Sequence, residues 1–600
     1  MFIENRKVSP QKIKRIPIIA NIIIIVIFIL LFFAFWHIQI LRNYYYTTLA
    51  TKNIEKEIEI KAPRGLIVDR NYKRLSENKI GFNLSLIREY AKNLGKTVQS
   101  AATLTGMDKK KINKTIEKYN GFPKFYAIPI KKNLSLDKVI FIESRSDEFP
   151  EFEINIEPAR AYPYKEFASH ILGYISEVTS SELVEKTKEG YKLGNVIGKS
   201  GIEKRYESYL RGVCGIKTVV KDNLGKIQAI LDEKNPTIGS SVVLTIDMEL
   251  QTYIEDLFME HKGAVGVVDL RTGGILAMVS KPNFNPEFFS GPMEEEEWLA
   301  LVNDPDKPLH NKFLQGLYSP GSVFKIVMAL AGLQEKVIDT STISQCYGHI
   351  KIYDRLFHCW NRSGHGAMNI YNALKNSCNV YFYRLGKKLD IDVIARYAKL
   401  LGMGEPTQID LPNEKKGLIP SKAWKLHQLK QEWFPGETIS VAIGGGMINV
   451  TPIQMLTMIS TVALRGRMPQ FHLLKQIETN GEVVEKYKPR FKEVPIDKEN
   501  FEIVIEGLFK VVNEGGTGRA ARIDGLDICG KTGTHLVLSL ENPDYNQLIK
   551  QKRFWPHAWF ASFAPRNNPE IAMVVFVENG GDAGAVAAPI ARKIYKKIFD

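Results

Sequence analysis

The feature that most limits how this 600-residue chain can fold is an apolar run near its start, from Pro17 to Trp36. As a helix its about 20 residues extend roughly 30 Å, the thickness of a bilayer's hydrocarbon core. In lipid the backbone polar groups must bond within the segment, so a helix over 16–41 is the expected form. A core helix of a soluble protein is the alternative, and the run is too long and too apolar for one. Arg6, Lys7, Lys12, Lys14 and Arg15 precede it against the single acid Glu4. That bias holds residues 1–15 on the cytoplasmic side and exports everything after Arg42. Trp36, Tyr44, Tyr45 and Tyr46 suit the outer interface. A cleaved signal peptide would have a shorter apolar core and small residues at its end, where Trp36-His37-Ile38 stands instead. No second span is apparent.

The exported part is too long for a single core. Over the whole chain, 44% hydrophobic and 24% charged residues describe a globular protein, and the net charge of +15 is spread along the sequence without an aromatic-interleaved basic cluster. This suits a surface near anionic lipid or glycan precursor and speaks against a nucleic-acid partner. Residues 42–239 read as an α+β scaffold. Ala62 to Arg70 has a strand pattern, Arg160 to Pro163 and His170 to Tyr174 are short strand and turn pieces, and a helix runs from about Gly198 to Leu210. Residues 240–600 have strands at both ends: Val242–Asp247, Gly263–Asp269 and Ile275–Val279 early, Trp559–Pro565 and Ile571–Val577 late, with helices at Met248–His261 and Ala585–Phe599. Strands at both ends of a helical middle imply one antiparallel sheet with an inserted helical lobe.

Within that lobe, Leu317 to Leu330 passes through Ser319-Pro320-Gly321-Ser322 and then Val323-Phe324-Lys325-Ile326 into unrelieved apolar sequence. Pro and Gly mark a turn that opens into a helix buried on every side. Ser322 and Lys325, three apart, share one face. A buried lysine tends to lose its proton and can then take one from a serine, which makes Ser322 a candidate nucleophile. The alternative is an N-cap serine and a lysine that snorkels outward. Two later segments bear on the choice. Asn376-Ser377-Cys378-Asn379 ends the amphipathic stretch Ile370–Leu374, and Gly530-Lys531-Thr532-Gly533-Thr534 follows a short strand pattern, Leu526–Cys529.

Ser-x-x-Lys, Ser-x-Asn and Lys-Thr-Gly, in that order, form the motif set of serine β-lactamases and penicillin-binding proteins. The scaffold pieces Arg64-Gly65-Leu66-Ile67-Val68-Asp69-Arg70 and Gly198-Lys199-Ser200-Gly201-Ile202-Glu203 resemble the pedestal of class B penicillin-binding proteins. The chain therefore resembles that family over nearly its whole length, and within it the elongation-type penicillin-binding proteins 2. The resemblance implies an α+β protein with one membrane helix, a pedestal over 42–239 and a penicillin-recognising serine transpeptidase domain over 240–600.

It also implies the chemistry. Lys325 deprotonates Ser322, and the backbone N–H groups of Ser322 and Thr534 receive the oxyanion. Ser377 hands a proton to the leaving amine and Asn379 fixes a peptide amide. Lys531, Thr532, Gly533 and Thr534 form a cationic, hydroxyl-rich edge for a terminal carboxylate. The substrate implied is the D-Ala-D-Ala end of a peptidoglycan stem peptide, crosslinked to a neighbouring stem through an acyl-enzyme, with D,D-carboxypeptidase turnover as a side reaction of the same site. Cys378 stands where class A β-lactamases carry Asp, and no Glu-x-x-x-Asn motif follows, which favours a transpeptidase over a hydrolase. The expected setting is the inner membrane, single-pass, with the catalytic domain periplasmic. Expected partners are lipid-linked precursor, a RodA-type glycan polymerase and elongation-complex proteins. A septal transpeptidase and a β-lactam sensor or scaffold without turnover are the alternatives. No glycosyltransferase domain fits before the transpeptidase, and Gly444-Gly445-Gly446 reads as a turn near the sheet. The stretch His535–Ala558 exceeds a hairpin loop and either shapes the acceptor side or is a disordered insertion.

Three of the five cysteines, Cys346, Cys359 and Cys378, fall within one segment with His365. Three thiols and one imidazole make a tetrahedral zinc set, and similar clusters occur in elongation-type relatives. His349 and His358 are rival ligands. A disulfide that leaves the third thiol unpaired, or three free thiols, are the alternatives. Cys214 and Cys529 read as core residues.

Overall fold

The computed structural model describes residues 10–221, 227–291, 295–537 and 543–600. The first nine residues of the expected cytoplasmic tail, and residues 538–542 of the long connection after the Lys-Thr-Gly segment, lie outside the described residues. A helix Pro10–Trp36 continues through a π-helical turn, His37–Leu41. Its stretch Pro17–Leu41 has a mean hydropathy of 3.3 and is unburied among the described residues, and it is long and apolar enough to cross a membrane.

Beyond it the chain builds a pedestal from two small sheets. Strands Glu55–Ile60, Gly215–Lys221 and Ile227–Lys234 form one. Ile128–Lys131, Glu77–Leu86 and Phe152–Ala161 form the other, and Leu84, Leu86, Ile128 and Phe152 pack against Val98, Ile112 and Tyr119 of the helices beside it. Those helices start and stop where local chemistry says they should. Asn93 and Asp108 accept backbone N–H bonds as N-caps, and Gly106 closes the first in a left-handed conformation.

The pedestal segments quoted from the sequence meet in one buried ion cluster. Arg160 Nε lies 2.6 Å from Glu203 Oε1 and Arg64 Nη2 2.7 Å from Glu203 Oε2, while Arg64 Nη2 also reaches Glu207 Oε2 at 2.7 Å. Burial works to raise the Glu203 carboxyl, but Arg160 and Arg64 hold it below the ordinary carboxylate range. Local details differ from the sequence reading. The strand pattern Ala62–Arg70 pairs only over Ile67–Val68, and Ser169–Leu172 is a helical turn rather than a strand. The helix expected from Gly198 to Leu210 is two short helices, Gly201–Arg205 and Glu207–Leu210.

The transpeptidase-side core is a five-stranded antiparallel sheet. Its spatial order is Gly274–Lys281, Gly263–Asp269, Ile571–Val577, His557–Ala564 and Cys529–His535. Its central strands Gly263–Asp269 and Ile571–Val577 are buried on both faces, so they read as nearly continuous apolar runs. Val265, Val267, Met573 and Val575 face the terminal helices Met248–Leu257 and Ala587–Phe599, whereas Ala264, Val574 and Phe576 face the inserted helical lobe. The expected antiparallel sheet with an inserted lobe is the architecture found. The strand pattern at Leu526–Cys529 is displaced: the edge strand starts at Cys529 and carries the whole Lys531-Thr532-Gly533 motif.

Candidate active site

Ser322 sits in a single 3-10 turn, Gly321–Phe324, and Lys325 opens the α-helix Lys325–Gln334. Every residue of that helix from Lys325 to Leu333 is buried, as the apolar run requires. Ser322 is half-buried and Lys325 fully so. The Lys325 ammonium donates to Ser377 O at 2.8 Å, Ser377 Oγ at 3.1 Å and Asn379 Oδ1 at 2.7 Å, with the Phe382 ring 5.5 Å away. The helix spacing thus brings Lys325 beside the nucleophile turn, but its hydrogen bonds go to the Ser-x-Asn motif and not to Ser322. Burial pushes Lys325 down to about 7, against the opposing influence of the Cys378 and Cys359 sulfurs.

Ser377 lies between the helices Ile370–Lys375 and Asn379–Lys388 with a φ of +51°, a left-handed conformation that costs a non-glycine residue. Bonds from Ser377 N to Leu374 O at 3.1 Å and Cys378 N to Ala373 O at 2.9 Å hold it there. This turn aims the Ser377 hydroxyl and the Asn379 amide at Lys325.

The edge strand Cys529–His535 closes the cleft. A Cβ on Gly533 would come within 2.8 Å of Val323 Cγ2 and 2.9 Å of Pro320 O, so only glycine allows the strand this close to the nucleophile turn. A Cβ built on Gly321 would meet Thr534 O at 3.0 Å and Thr534 N at 3.5 Å, which brings the two expected oxyanion donors into one neighbourhood. Thr532 Oγ1 bonds Thr517 Oγ1 at 2.7 Å, and Thr534, exposed, receives Ala583 N on its Oγ1 at 3.4 Å. Lys531 departs from the expected cationic edge. It is fully buried, donates to Thr532 O at 3.0 Å, and is held well below the usual lysine range by burial and by nearby Lys325. A carboxylate brought beside Lys531 would oppose this shift.

Four residues outside the motifs complete the site. Gly444 O accepts Gly321 N at 3.1 Å and also the Ser319 hydroxyl. Gly444 has φ +75°, and a Cβ there would lie 2.0 Å from Gly321 O, so the glycine run read as a turn near the sheet carries the nucleophile turn on its back. Thr517 positions Thr532, and Trp360 Nε1 donates to Asn376 O at 3.0 Å beside the Ser-x-Asn turn. Phe382 lies beside the Lys325 ammonium. The glycine run was visible in the sequence; Thr517, Trp360 and Phe382 carry no local signal, because only the fold makes them neighbours.

Cys346, Cys359, His365 and Cys378 converge behind this wall, their ligand atoms all within 4.8 Å of one another. His365 Nδ1 lies 3.5 Å from Cys359 Sγ and 3.7 Å from Cys346 Sγ. Zinc–sulfur and zinc–nitrogen bond lengths in a tetrahedron give sulfur–nitrogen edges of about 3.5 Å, so the donor set fits the metal in type and its two His365 edges match in length. The rivals His349 and His358 face each other across the hairpin His349–Ile352/Arg355–His358, outside this group. No sulfur–sulfur bond joins any of the five cysteines. Cys378 is fully buried and belongs to the cluster, so the position after Ser377 offers the cleft no acidic group.

A sheet with an inserted helical lobe, a serine on a buried helix beside a depressed lysine, and a Lys-Thr-Gly edge strand define the penicillin-recognising serine acyltransferases. Residues 263–596 match the penicillin binding protein transpeptidase domain and residues 59–244 the penicillin-binding protein dimerisation domain. The chain belongs to the class B penicillin-binding proteins. It is 33% identical to the peptidoglycan D,D-transpeptidase MrdA of Haemophilus influenzae, covering 98% of this chain and 92% of that protein. Among solved structures it is similar to penicillin-binding protein 2 of Helicobacter pylori in complex with MreC, with TM-score 0.78 and 27% identity over 90% of this chain and 99% of that one. It is also similar to a component of a peptidoglycan synthase complex that coordinates polymerisation and crosslinking, with TM-score 0.69 and 29% identity over 97% of each chain.

Proposed function

We propose that this protein is a peptidoglycan D,D-transpeptidase that crosslinks stem peptides during cell elongation and is acylated by β-lactams. The observation that carries the reading is the buried Lys325, depressed to about 7 and bonded to Ser377 and Asn379 one helical turn from Ser322. Neutral Lys325 takes the Ser322 proton as Oγ attacks the penultimate D-Ala carbonyl. The oxyanion that forms is met by the N–H groups of Ser322 and Thr534. The proton on Lys325 passes through the Ser377 hydroxyl to the departing D-Ala nitrogen, the C–N bond breaks, and an ester to Ser322 remains. An amine of a neighbouring stem then attacks that ester and gives up its proton along the reverse route, leaving a new amide and a restored hydroxyl. Lys531 and the Thr532 and Thr534 hydroxyls receive the terminal carboxylate.

The absence of an acidic group after Ser377 supports aminolysis over hydrolysis. Labelling with a fluorescent penicillin and mapping the labelled peptide tests the reading: the label should fall on Ser322, and a label on any other serine would overturn it.

The apolar N-terminal helix and its basic flank support a single-pass inner-membrane protein with a periplasmic catalytic domain. The similarity to proteins solved with MreC and in a synthase complex supports work alongside a RodA-type polymerase and lipid-linked precursor. Co-purification of an elongation polymerase would support this assignment, and co-purification of a division polymerase instead would place the protein at the septum.

Cys346, Cys359, His365 and Cys378 are proposed to hold one structural zinc ion. Bound there, the ion would cross-link the small hairpins to the start of the Asn379–Lys388 helix and so brace Ser377 and Asn379, without entering the chemistry.

A further inference from the structure

The strand His557–Ala564 places a fully buried indole, Trp559, directly opposite Gly533 of the edge strand. Cross-strand partners present their side chains to the same face of a sheet, here the face covered by the helical lobe. Gly533 has no side chain to present, and the nucleophile turn fills the gap, with Pro320 O and Val323 Cγ2 where a Cβ would need room. Trp559 stands beside that gap. Its ring packs on Phe576 of the next strand, ring centres 4.2 Å apart, and on Tyr318 at 6.3 Å. Its Nε1 donates to Ser319 O at 3.1 Å, a bond buried from water.

This bond differs in origin from those that hold the turn from behind. Tyr318 N and O pair with Val450 at 3.0 and 2.8 Å, and Gly321 N reaches Gly444 O at 3.1 Å; both partners belong to the helical lobe. Two polar side chains tie the turn to the sheet instead. Glu578, just past the strand Ile571–Val577, accepts from the Tyr318 hydroxyl at 2.9 Å, far out on that side chain. Trp559 grips the backbone itself, three residues before Ser322. The distance between turn and sheet matters because the two oxyanion donors sit one on each: Ser322 N on the turn and Thr534 N on the edge strand.

We propose that Trp559 is a positioning residue for acylation: its indole N–H fixes the Ser319–Ser322 turn where the Ser322 and Thr534 N–H groups meet the same oxyanion. This role presupposes that Ser322 is the acylated serine. Being fully buried, Trp559 does not reach a substrate, and its hydrogen bond goes to neither Lys325 nor the Ser-x-Asn motif. Its effect therefore falls on stabilisation of the tetrahedral intermediate and not on the proton affinity of the base.

The test replaces Trp559 by benzothienylalanine, which keeps the indole shape but has sulfur in place of the N–H, and separately makes Trp559→Phe. Stopped-flow acylation with a chromogenic β-lactam, normalised to titrated active sites, separates the acylation rate constant from the dissociation constant of the preceding complex. Both variants should lower the rate constant about tenfold, less than the outright loss of an oxyanion donor. The dissociation constant and the pH midpoint set by Lys325 should stay at their wild-type values. Fewer active sites that each keep the wild-type rate constant would mean a purely structural role and overturn the proposal. A wild-type rate constant in the benzothienylalanine protein, a loss confined to the dissociation constant, or a moved pH midpoint would overturn it too. Peptide mapping of the wild-type label is run alongside. A label away from Ser322 sinks the transpeptidase reading itself, whereas a label on Ser322 with undiminished rates in the variants sinks the role of Trp559 alone.

Discussion

Lys325 must be neutral to act as a base, and burial is what makes it so. With its proton leaving near pH 7, the acylation rate constant should rise about tenfold per pH unit below that point and level off above it. Stopped-flow acylation with a chromogenic β-lactam reads this directly, and a flat profile from pH 5 to 9 would remove Lys325 from the role of base. Ser322→Ala should abolish covalent penicillin labelling while the protein still folds and inserts, since Ser322 lies inside the 3-10 turn and caps neither that turn nor the helix after it. Lys325→Ala should slow acylation by roughly 10²–10⁴-fold, the usual share of a general base, and leave a trace from the oxyanion donors. Thr534→Ala should lose far less than Lys325→Ala, because its contribution to the oxyanion comes from backbone N–H.

At the scale of elements, the cleft depends on how closely three backbones approach. Gly533 lets the edge strand lie on the Pro320–Val323 turn, and Gly444 lets a second turn support it from behind. Gly444→Ala would push a Cβ into Gly321 O in a backbone conformation that disfavours alanine, so acylation should fall sharply while the transpeptidase sheet stays folded. Second-order acylation constants together with circular dichroism check this. The cysteine cluster acts on the same scale. Protein purified without added metal should contain near one zinc per chain, and Cys359→Ser should lower both metal content and acylation rate. Metal-free protein with blocked thiols would mean a disulfide instead.

Across the whole molecule, the buried Glu203 binds together Arg64 and Arg160, three residues far apart in sequence. Glu203→Gln leaves two guanidinium groups with too little negative charge in a buried place, a loss on the order of 3–5 kcal/mol. The pedestal should therefore unfold at a lower temperature or be cut sooner in limited proteolysis. Penicillin acylation by the protein that remains folded should be close to wild type. The apolar N-terminal helix makes a topological prediction of the same reach. A protease added outside an intact inner membrane should digest the chain from Arg42 onward, and protection of the catalytic domain would reverse the orientation.

Much of this protein is decided by local chemistry and so could be read from the chain itself. A 20-residue apolar run has to be a helix in lipid or a buried one, apolar strands with turn residues between them have to pair, and Ser322 and Lys325 three apart have to share a helical face. The order of the three motifs along the chain is enough to point to the family. What the sequence could not contain is the consequence of bringing distant segments together. Lys325 is depressed because it is enclosed, and it bonds Ser377 and Asn379 because a left-handed turn fifty-odd residues later points them at it. Lys531, read from its motif as a cation, is buried beside a second lysine. His365 belongs to the cysteine cluster and His349 and His358 do not, because a hairpin turns those two away. Proton affinity, ligand choice and backbone strain are set by the surroundings of a group in space, and those surroundings exist only once the chain has folded.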